Sequence, residues 1–391
     1  MDFTFTEEQV AVSEAASAVL SGMVDPGRVA TIEATDDRID RELWGALAAA
    51  DLLGLAVPKA YGGGGLGLTE LCLLLEAQGD FVAPVPLWAT LVLGALPIAR
   101  FAPATVAARW LPGVVEGRVL LTAALSGTAD STSGLPAVTA EPSGDGWRLS
   151  GHEPAVPQAH LADRVLVPAR TAAGGVILAL VDPAGEGVEL ERAVTTNREV
   201  HPHLSLSEVA VGNGDVVAGP GVGREALDWT LDAARTGLAA MVLGVCESAL
   251  RQTAAYLNER EQFGRPLSTF QGTMLKAADA AIDIEAIRVT LWQAAWRIDS
   301  DLPAAESVAV AKWQASERGQ RVVHATQHLH GGVGADITYP IHRYFLWGKQ
   351  LELLLGGPSR QLSRLGSLIA DRTEASPAIP DGPAAQSPGG R

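Results

Sequence analysis

From residue 219 to about residue 371 the apolar residues of this 391-residue chain return at helical spacing, and nothing else in it limits the fold as strongly. Leu227, Leu231, Leu238, Val242, Val245 and Ala249 fall on one face of a single long helix. A second long helix carries Met274, Leu275, Ala278, Ile282 and Trp292, and a third runs from about Ala304 to His330. Four long helices of this kind pack as a bundle. The first 118 residues are helical too, starting at Thr6 with Glu7 and Glu8 behind it, groups that suit the unpaired amides of a first turn. Between these parts the pattern changes. Gly144-Asp145-Gly146 is a turn, and Trp147 to Leu149 and Arg164 to Val167 read as short strands. Val176 to Val181 is a continuous apolar run bounded by Gly175 and Pro183, and His203 to Val211 alternates. The expected fold class is mainly α with a central β domain. An N-terminal helical domain spans 1–118, a small β-barrel or sandwich 119–218 and a C-terminal four-helix bundle 219–371. Residues 372–391 turn to Pro, Ser, Ala and Gly and read as a disordered tail.

Composition narrows the function. The formal charge is −16, and no basic stripe exists to release counterions from a phosphate backbone, so nucleic acid is not expected as a partner. Cys72 and Cys246 lie far apart in apolar helical contexts. They read as small core residues in a reducing cytosol, not as a metal or disulfide pair. Met1-Asp2-Phe3-Thr4 lacks the basic start of a secretion signal. No apolar run reaches the roughly 20 residues of a membrane span. The expectation is a soluble, cytoplasmic protein with neither a membrane nor a metal partner.

Two segments of the C-terminal half carry the chemistry. Residues 259–271 read EREQFGRPLSTFQ, and residues 328–334 read HLHGGVG. Arg260 and Gln262 put a charge and an amide beside Phe263, a flat apolar face, at a helix end marked by Gly264 and Pro266. Gly331, Gly332 and Gly334 let a backbone approach a diphosphate with its N–H groups exposed. The combination suits a nucleotide with a pyrophosphate and an adenine. In the N-terminal half, residues 57–67, VPKAYGGGGLG, lie between the apolar stretch Leu43 to Leu55 and a helix with Glu70, Leu74 and Glu76. The tight apolar flanks argue for a buried turn between packed helices.

Together these segments closely resemble the signature of the acyl-CoA dehydrogenase family of flavoproteins. The likeness runs over nearly the full length. The family's N-terminal domain has a helix, a Pro-x-x-Tyr-Gly-Gly turn and a helix ending in Glu-x-x-Gly, here Pro58, Tyr61, Gly62, Gly63, Glu76 and Gly79. The resemblance implies FAD as cofactor, an acyl-CoA substrate and an electron-accepting flavoprotein. In the family the two C-terminal motifs of one subunit grip the ADP half of FAD held by its neighbour. Carried onto this chain, the grip comprises Arg260, Gln262, Phe263 and Gln271 from one motif, and Gln327, His328, Gly331, Gly332 and Gly334 from the other. His328 stands where the family has a leading Gln, and Gln327 is beside it.

The family's reaction removes a proton alpha to the thioester and passes the beta hydride to flavin. A glutamate in a desolvated pocket takes the proton, its pKa raised towards that of so weak an acid. In most members it stands in a Glu-Gly-Thr motif after the Gly-Gly-x-Gly, a position held here by Leu355, or Gly356 with a one-residue slip. Other members place it on the first bundle helix before an arginine that resembles Arg235, a substrate-binding position, and the residue before Arg235 is Ala234. Both base positions are empty. Glu352 is the nearest carboxylate, and a salt bridge with Lys349 is its simpler use. Glu247 lies three turns beyond Arg235. The β domain departs as well: of the family's Thr-Glu-Pro-Gly-x-Gly-Ser flavin loop, only Ser131 survives in residues 125–131. The Trp-Ile-Thr flavin wall becomes Ala155-Val156-Pro157, losing an aromatic, a hydroxyl and an N–H.

The losses are sorted: the side that grips a neighbour's ADP is kept, and the side that holds the chain's own ring and a base is eroded. This pattern resembles the base-lacking subunit of actinobacterial heteromeric acyl-CoA dehydrogenases of the steroid side-chain type. It implies a second acyl-CoA dehydrogenase-like subunit in an α2β2 assembly. Three alternatives stay open: a self-sufficient homotetramer with Glu352 or Glu247 as relocated base, a flavin oxygenase on the same fold, and a catalytically silent scaffold.

Overall fold

A computed structural model describes residues 4–131 and 134–375 of the chain. The N-terminal part is a cluster of helices, α1 (Glu7–Met23), α2 (Pro26–Glu33), α3 (Arg41–Ala49), α4 (Leu68–Phe81), α5 (Leu96–Phe101) and α6 (Ala104–Val115). Thr6 caps α1 in a full capping box, its side chain accepting from the Gln9 amide while Gln9 reaches back. The start of α4 is capped from far along the chain. The Asp299 carboxylate accepts from Leu68 N at 2.7 Å and Thr69 N at 2.8 Å, which joins this cluster to the C-terminal half. Trp88–Ala95 winds as a π-helix directly before α5. The glycine-rich turn after α3 is flanked by buried Leu53, Leu55, Val57 and Leu68 as expected, but the glycines themselves are exposed or half-exposed. Gly62 has φ +88°. A Cβ on Gly63 would overlap the backbone of Val57, so the turn is tight without being buried.

The middle part is one mixed sheet. Its strands are β1 (Leu121–Ala123), β2 (Thr139–Ser143), β3 (Gly146–Glu153), β4 (Arg164–Thr171), β5 (Val176–Val181), β6 (Val188–Glu191), β7 (His203–Gly212) and β8 (Val216–Ala218). The order is β6-β7-β3-β2-β4-β5-β8, with β1 beside β4, and both β1 and β2 run parallel to β4. The ends β6 and β8 are not paired with each other among the described residues, so no closed barrel forms. The sheet wraps a separate apolar core containing Leu149, Val165, Val167, Ile177, Ala179, Leu204 and Val211. The short helix α7 (Ser126–Asp130) follows β1.

The C-terminal part holds α8 (Gly223–Glu259), α9 (Gln271–Asp299), α10 (Ala305–Leu329), α11 (Ile341–Leu353) and α12 (Pro358–Ala375). The helix α12 extends four residues into the stretch read as tail, and the remainder of that stretch lies outside the described residues. Contrary to the expectation of no membrane-length apolar run, α8 contains an 18-residue window of mean hydropathy 1.3. That window is 89% buried within the fold, which accounts for its composition as that of a core helix. It packs along α4, where Gly79 and Gly244 face the other helix's backbone at Met241 and Glu76 with no room for a Cβ. This close crossing is the structural use of the Glu-x-x-Gly at Glu76 to Gly79.

Candidate functional site

The two C-terminal motifs are brought together at one end of α8. Helix α8 stops at Glu259, and a two-strand ribbon follows, β9 (Glu261–Gln262) paired with β10 (Arg265–Pro266). Its two-residue turn is Phe263-Gly264, both with positive φ, +56° and +79°. Such a turn matches the twist of the strands, but it places a bulky residue in the left-handed region. Phe263 is 92% exposed, its ring edge-on to Phe270 at 6.1 Å. A strained, fully exposed aromatic ring is retained against two physical costs, which marks it as a contact for something else. Arg265 stacks over Phe270 at 4.1 Å and anchors the ribbon. Arg260, Gln262 and Gln271 are all exposed.

The glycine turn lies against the same end of α8. Tyr256, one helical turn before Arg260, stacks on His330 with centroids 4.4 Å apart. His330 immediately precedes Gly331, whose φ is +65°. Gly331 and Gly332 are exposed, and a Cβ on either would meet nothing. Gly334 is different: it is buried, and a Cβ there would overlap the Gln327 carbonyl. Gln327 donates from Nε2 to the Gly334 carbonyl at 3.0 Å, so it staples the turn from within, while His328 is exposed. An arginine, an amide, an exposed ring and open glycine amides therefore converge, fitting the ADP half of a flavin dinucleotide.

A second constellation surrounds Arg235. A cavity of about 350 Å³ lies between α7, α8 and α12, lined by Thr128, Ser131, Arg224, Arg235, Arg360 and Arg364 among others. Arg235 is 3% exposed, and its Nε and Nη1 find no hydrogen-bond partner. Burial, and then the neighbouring Arg364, lower its pKa to about 10 against the opposing pull of Asp232. Arg364 donates to Asp232 at 2.9 Å, and burial raises the pKa of Asp232. Arg360 donates to the Ser131 carbonyl, which seats Ser131 at the cavity wall. Its Nη1 lies 3.5 Å from Asp232 Oδ1, and a buried guanidinium with hydrogen-bonding capacity left over beside a polar cavity suits an anionic or carbonyl-bearing ligand.

No carboxylate stands at either base position. Ala234 is fully buried, and its carbonyl accepts from Trp88 Nε1 at 3.0 Å. Leu355 is buried at φ +56°, followed by Gly356 at φ +96°, and Gln361 Nε2 holds both of their carbonyls. Glu352 is buried, with Oε2 2.5 Å from Lys349 Nζ. Its carbonyl accepts from Ser316 and from Lys312, a fully buried cation whose pKa burial lowers to about 7. Glu247 pairs with Arg288, which also faces Glu76. Burial and the neighbouring Glu247 raise the Glu76 pKa to about 8. Glu247 is twelve residues along α8 from Arg235, roughly 18 Å at helical rise.

The β-domain loops are closed on themselves. The Ala155 amide donates to His203 Nδ1 at 3.2 Å, Val156 to the Pro202 carbonyl at 2.8 Å and Gln158 to the Val200 carbonyl at 3.1 Å. Pro157 between them has no N–H. In the preceding loop the amides of Ala129 and Ser131 are bonded to Leu125 and Thr128. The amide of Gly127 donates to Glu153 Oε2 at 3.0 Å. Glu153 is fully buried with its other oxygen unpartnered, and burial raises its pKa to about 7. Sequence reasoning missed Glu153, Trp88 and Lys312. Glu153 lies two residues before Ala155 at the end of β3, a strand in which only Leu149 is buried beside it, so no pattern in the sequence flags it.

Comparison with known proteins shows the family. The acyl-CoA dehydrogenase N-terminal domain matches residues 6–118, and the acyl-CoA dehydrogenase C-terminal domain matches residues 221–366. The chain is 37% identical to acyl-CoA dehydrogenase FadE27 of Mycobacterium tuberculosis, covering 95% of this chain and 99% of the relative. It resembles the structure of a variant of the Tcur3481-Tcur3483 steroid ACAD at 48% identity and TM-score 0.88, covering 94% of this chain and 99% of that one. The ChsE4-ChsE5 complex from Mycobacterium tuberculosis matches at 37% identity and TM-score 0.90, with 97% and 100% covered.

Proposed function

This chain belongs to the acyl-CoA dehydrogenase family, FAD-dependent oxidoreductases acting on CH–CH bonds, and within it we propose that it is the subunit without a catalytic base in a heteromeric enzyme. One contrast carries the reading: Arg260, Phe263, Gln271, His328, Gly331 and Gly332 of the ADP grip are exposed, whereas the loop amides at Gly127, Ala155, Val156 and Gln158 are bonded internally and Pro157 has none. Bound FAD would accept the hydride from the beta carbon of the acyl thioester. Arg260 would contribute charge-assisted hydrogen bonds to the diphosphate, Gly331 and Gly332 would offer backbone amides, and Phe263 would offer an apolar face to the adenine. The ring and the base come from the second subunit. Glu352 stays a structural residue, since its carboxylate is held by Lys349.

An apolar face beside the grip supports an assembly. Leu275, Ile282, Val289 and Trp296 recur every seven residues along α9 and are 58%, 64%, 48% and 39% exposed, with Met274 beside them at 51%. A heptad stripe of this length fits a helix of a neighbouring subunit. The substrate class is drawn from the relatives, two of which are a steroid ACAD and the ChsE4-ChsE5 complex; we assign CoA esters of steroid side chains. An electron-accepting flavoprotein would reoxidise the enzyme. A cytoplasmic location is part of the same reading, with Cys72 and Cys246 both free and buried. Purification tests the proposal. Alone, the chain should be colourless and inactive; with its dehydrogenase-like partner, it should yield a yellow complex that turns over a steroid side-chain CoA ester. A yellow, active chain by itself would favour a homomer, and yellow with oxygen consumption would favour an oxygenase.

A further inference from the structure

The two halves of the ADP grip are joined through one imidazole. His330 is 2% exposed, stacked on Tyr256 of α8 and tilted 5.3 Å from Tyr339. Its Nε2 lies 3.1 Å from Thr253 Oγ1. The Thr253 hydroxyl already donates to the Ala249 carbonyl at 2.7 Å, so its oxygen is the acceptor and the proton of the imidazole contact belongs to Nε2. Nδ1 then carries a lone pair and has no partner. Tyr256 adds a contact from its hydroxyl to the His330 carbonyl at 3.4 Å. The far end of the turn is held by Gln327 on Gly334. Between these two fastenings a Cβ on Gly331 or Gly332 would meet nothing, so no packed side chain fixes the turn there and its path is set from its ends. On the other side, the Arg260 amide donates to the Tyr256 carbonyl at 2.8 Å, placing Arg260 one turn from the stacked ring.

We propose that His330, as the Nε2–H tautomer bonded to Thr253 and stacked on Tyr256, is a positioning residue that sets the spacing between Arg260 and the glycine turn and so determines how well the chain grips a nucleoside diphosphate. This rests on the composite FAD site described above. The hydrogen bond supplies direction and the stack supplies distance. A Leu of similar volume would fill the space without either. A Gln can present an amide N–H close to where Nε2 stands and would keep the bond to Thr253.

The test titrates FAD into the flavin-stripped complex of this chain with the dehydrogenase-like partner subunit proposed above. Wild type is compared with Arg260→Ala, His330→Leu, His330→Gln, Thr253→Val and the Thr253→Val/His330→Leu double variant, each also melted without FAD. His330→Leu should weaken FAD about ten-fold, the order expected from one buried hydrogen bond together with a lost stack. His330→Gln should recover most of that affinity, Thr253→Val should weaken binding on its own, and the double variant should be no worse than His330→Leu. If Arg260→Ala weakens FAD but His330→Leu and Thr253→Val do not, the positioning role is refuted and the composite site stands. If His330→Gln binds as poorly as His330→Leu at equal melting temperature, the hydrogen bond is not the device. If Arg260→Ala and the His330 variants all bind FAD like wild type, the composite site itself is wrong.

Discussion

Replacing Glu153 by Gln should stabilise the protein, and the gain should grow as the pH rises. Glu153 is fully buried at the end of β3, with one oxygen on the Gly127 amide and the other without a partner. Burial is the larger influence on its carboxyl and carries the pKa from 4.5 to about 7, opposed by the Gly127 bond. A carboxyl with a raised pKa favours the folded state in its protonated form. Its contribution is therefore complete below pH 4.5, declines as the pH rises towards 7 and is gone above it. Between pH 5 and pH 8 the wild type should lose roughly 2–3 kcal/mol through this group alone. Glu153→Gln keeps an acceptor for Gly127 and cannot ionise, so it should escape that loss. Thermal melts of both proteins at pH 5 and pH 8 measure the effect. The melting-temperature advantage of the variant should be a few degrees greater at pH 8. The same offset at both pH values would mean that Glu153 reaches solvent or a cation and that its burial is not as described.

Four further outcomes follow from the site. Arg260→Ala should lower the FAD content of the assembled complex after dialysis while leaving the melting temperature of the flavin-free complex unchanged, since charge-assisted bonds to a diphosphate contribute roughly 1.5–3 kcal/mol and an exposed arginine contributes little to the fold. Phe263→Gly should hold or raise the melting temperature, because it relieves a left-handed backbone at φ +56°, yet reduce FAD retention. Glu352→Gln should leave turnover of the complex within a few-fold of wild type, and a loss on the order of 100-fold with normal flavin content would make Glu352 the base. Ile282→Glu should weaken the assembly on size-exclusion chromatography with light scattering, and an unchanged mass would show that the α9 stripe faces no subunit.

The long helices were readable because their apolar residues repeat locally: Leu227 to Ala249 lie in α8, and Ala304 to His330 bracket α10. Four of the central strands were equally readable from Trp147, Arg164, Val176 and His203. The strands β1, β2, β6 and β8 were not, since they are three to five residues long and exist through pairing with distant partners. The helix of Met274, Leu275 and Ile282 was legible, but its outward face was not, because periodicity does not say which neighbour an apolar face meets. The residues proposed for the grip could be named from their resemblance to the family's two motifs. That Gln327 fastens the turn from inside, and that the Ala155, Val156 and Gln158 amides are already bonded, depends on tertiary geometry.

The central claim is a division of labour, and counting flavin tests it most directly. FAD is titrated into the flavin-stripped complex of this chain and its dehydrogenase-like partner, and bound flavin is read per pair of chains. The closed loops at Glu153 and Pro157 predict one FAD per pair, since only the site that takes its ring from the partner and its ADP grip from this chain is complete. Two flavins per pair would show that this β domain holds a ring of its own, and the account would fail.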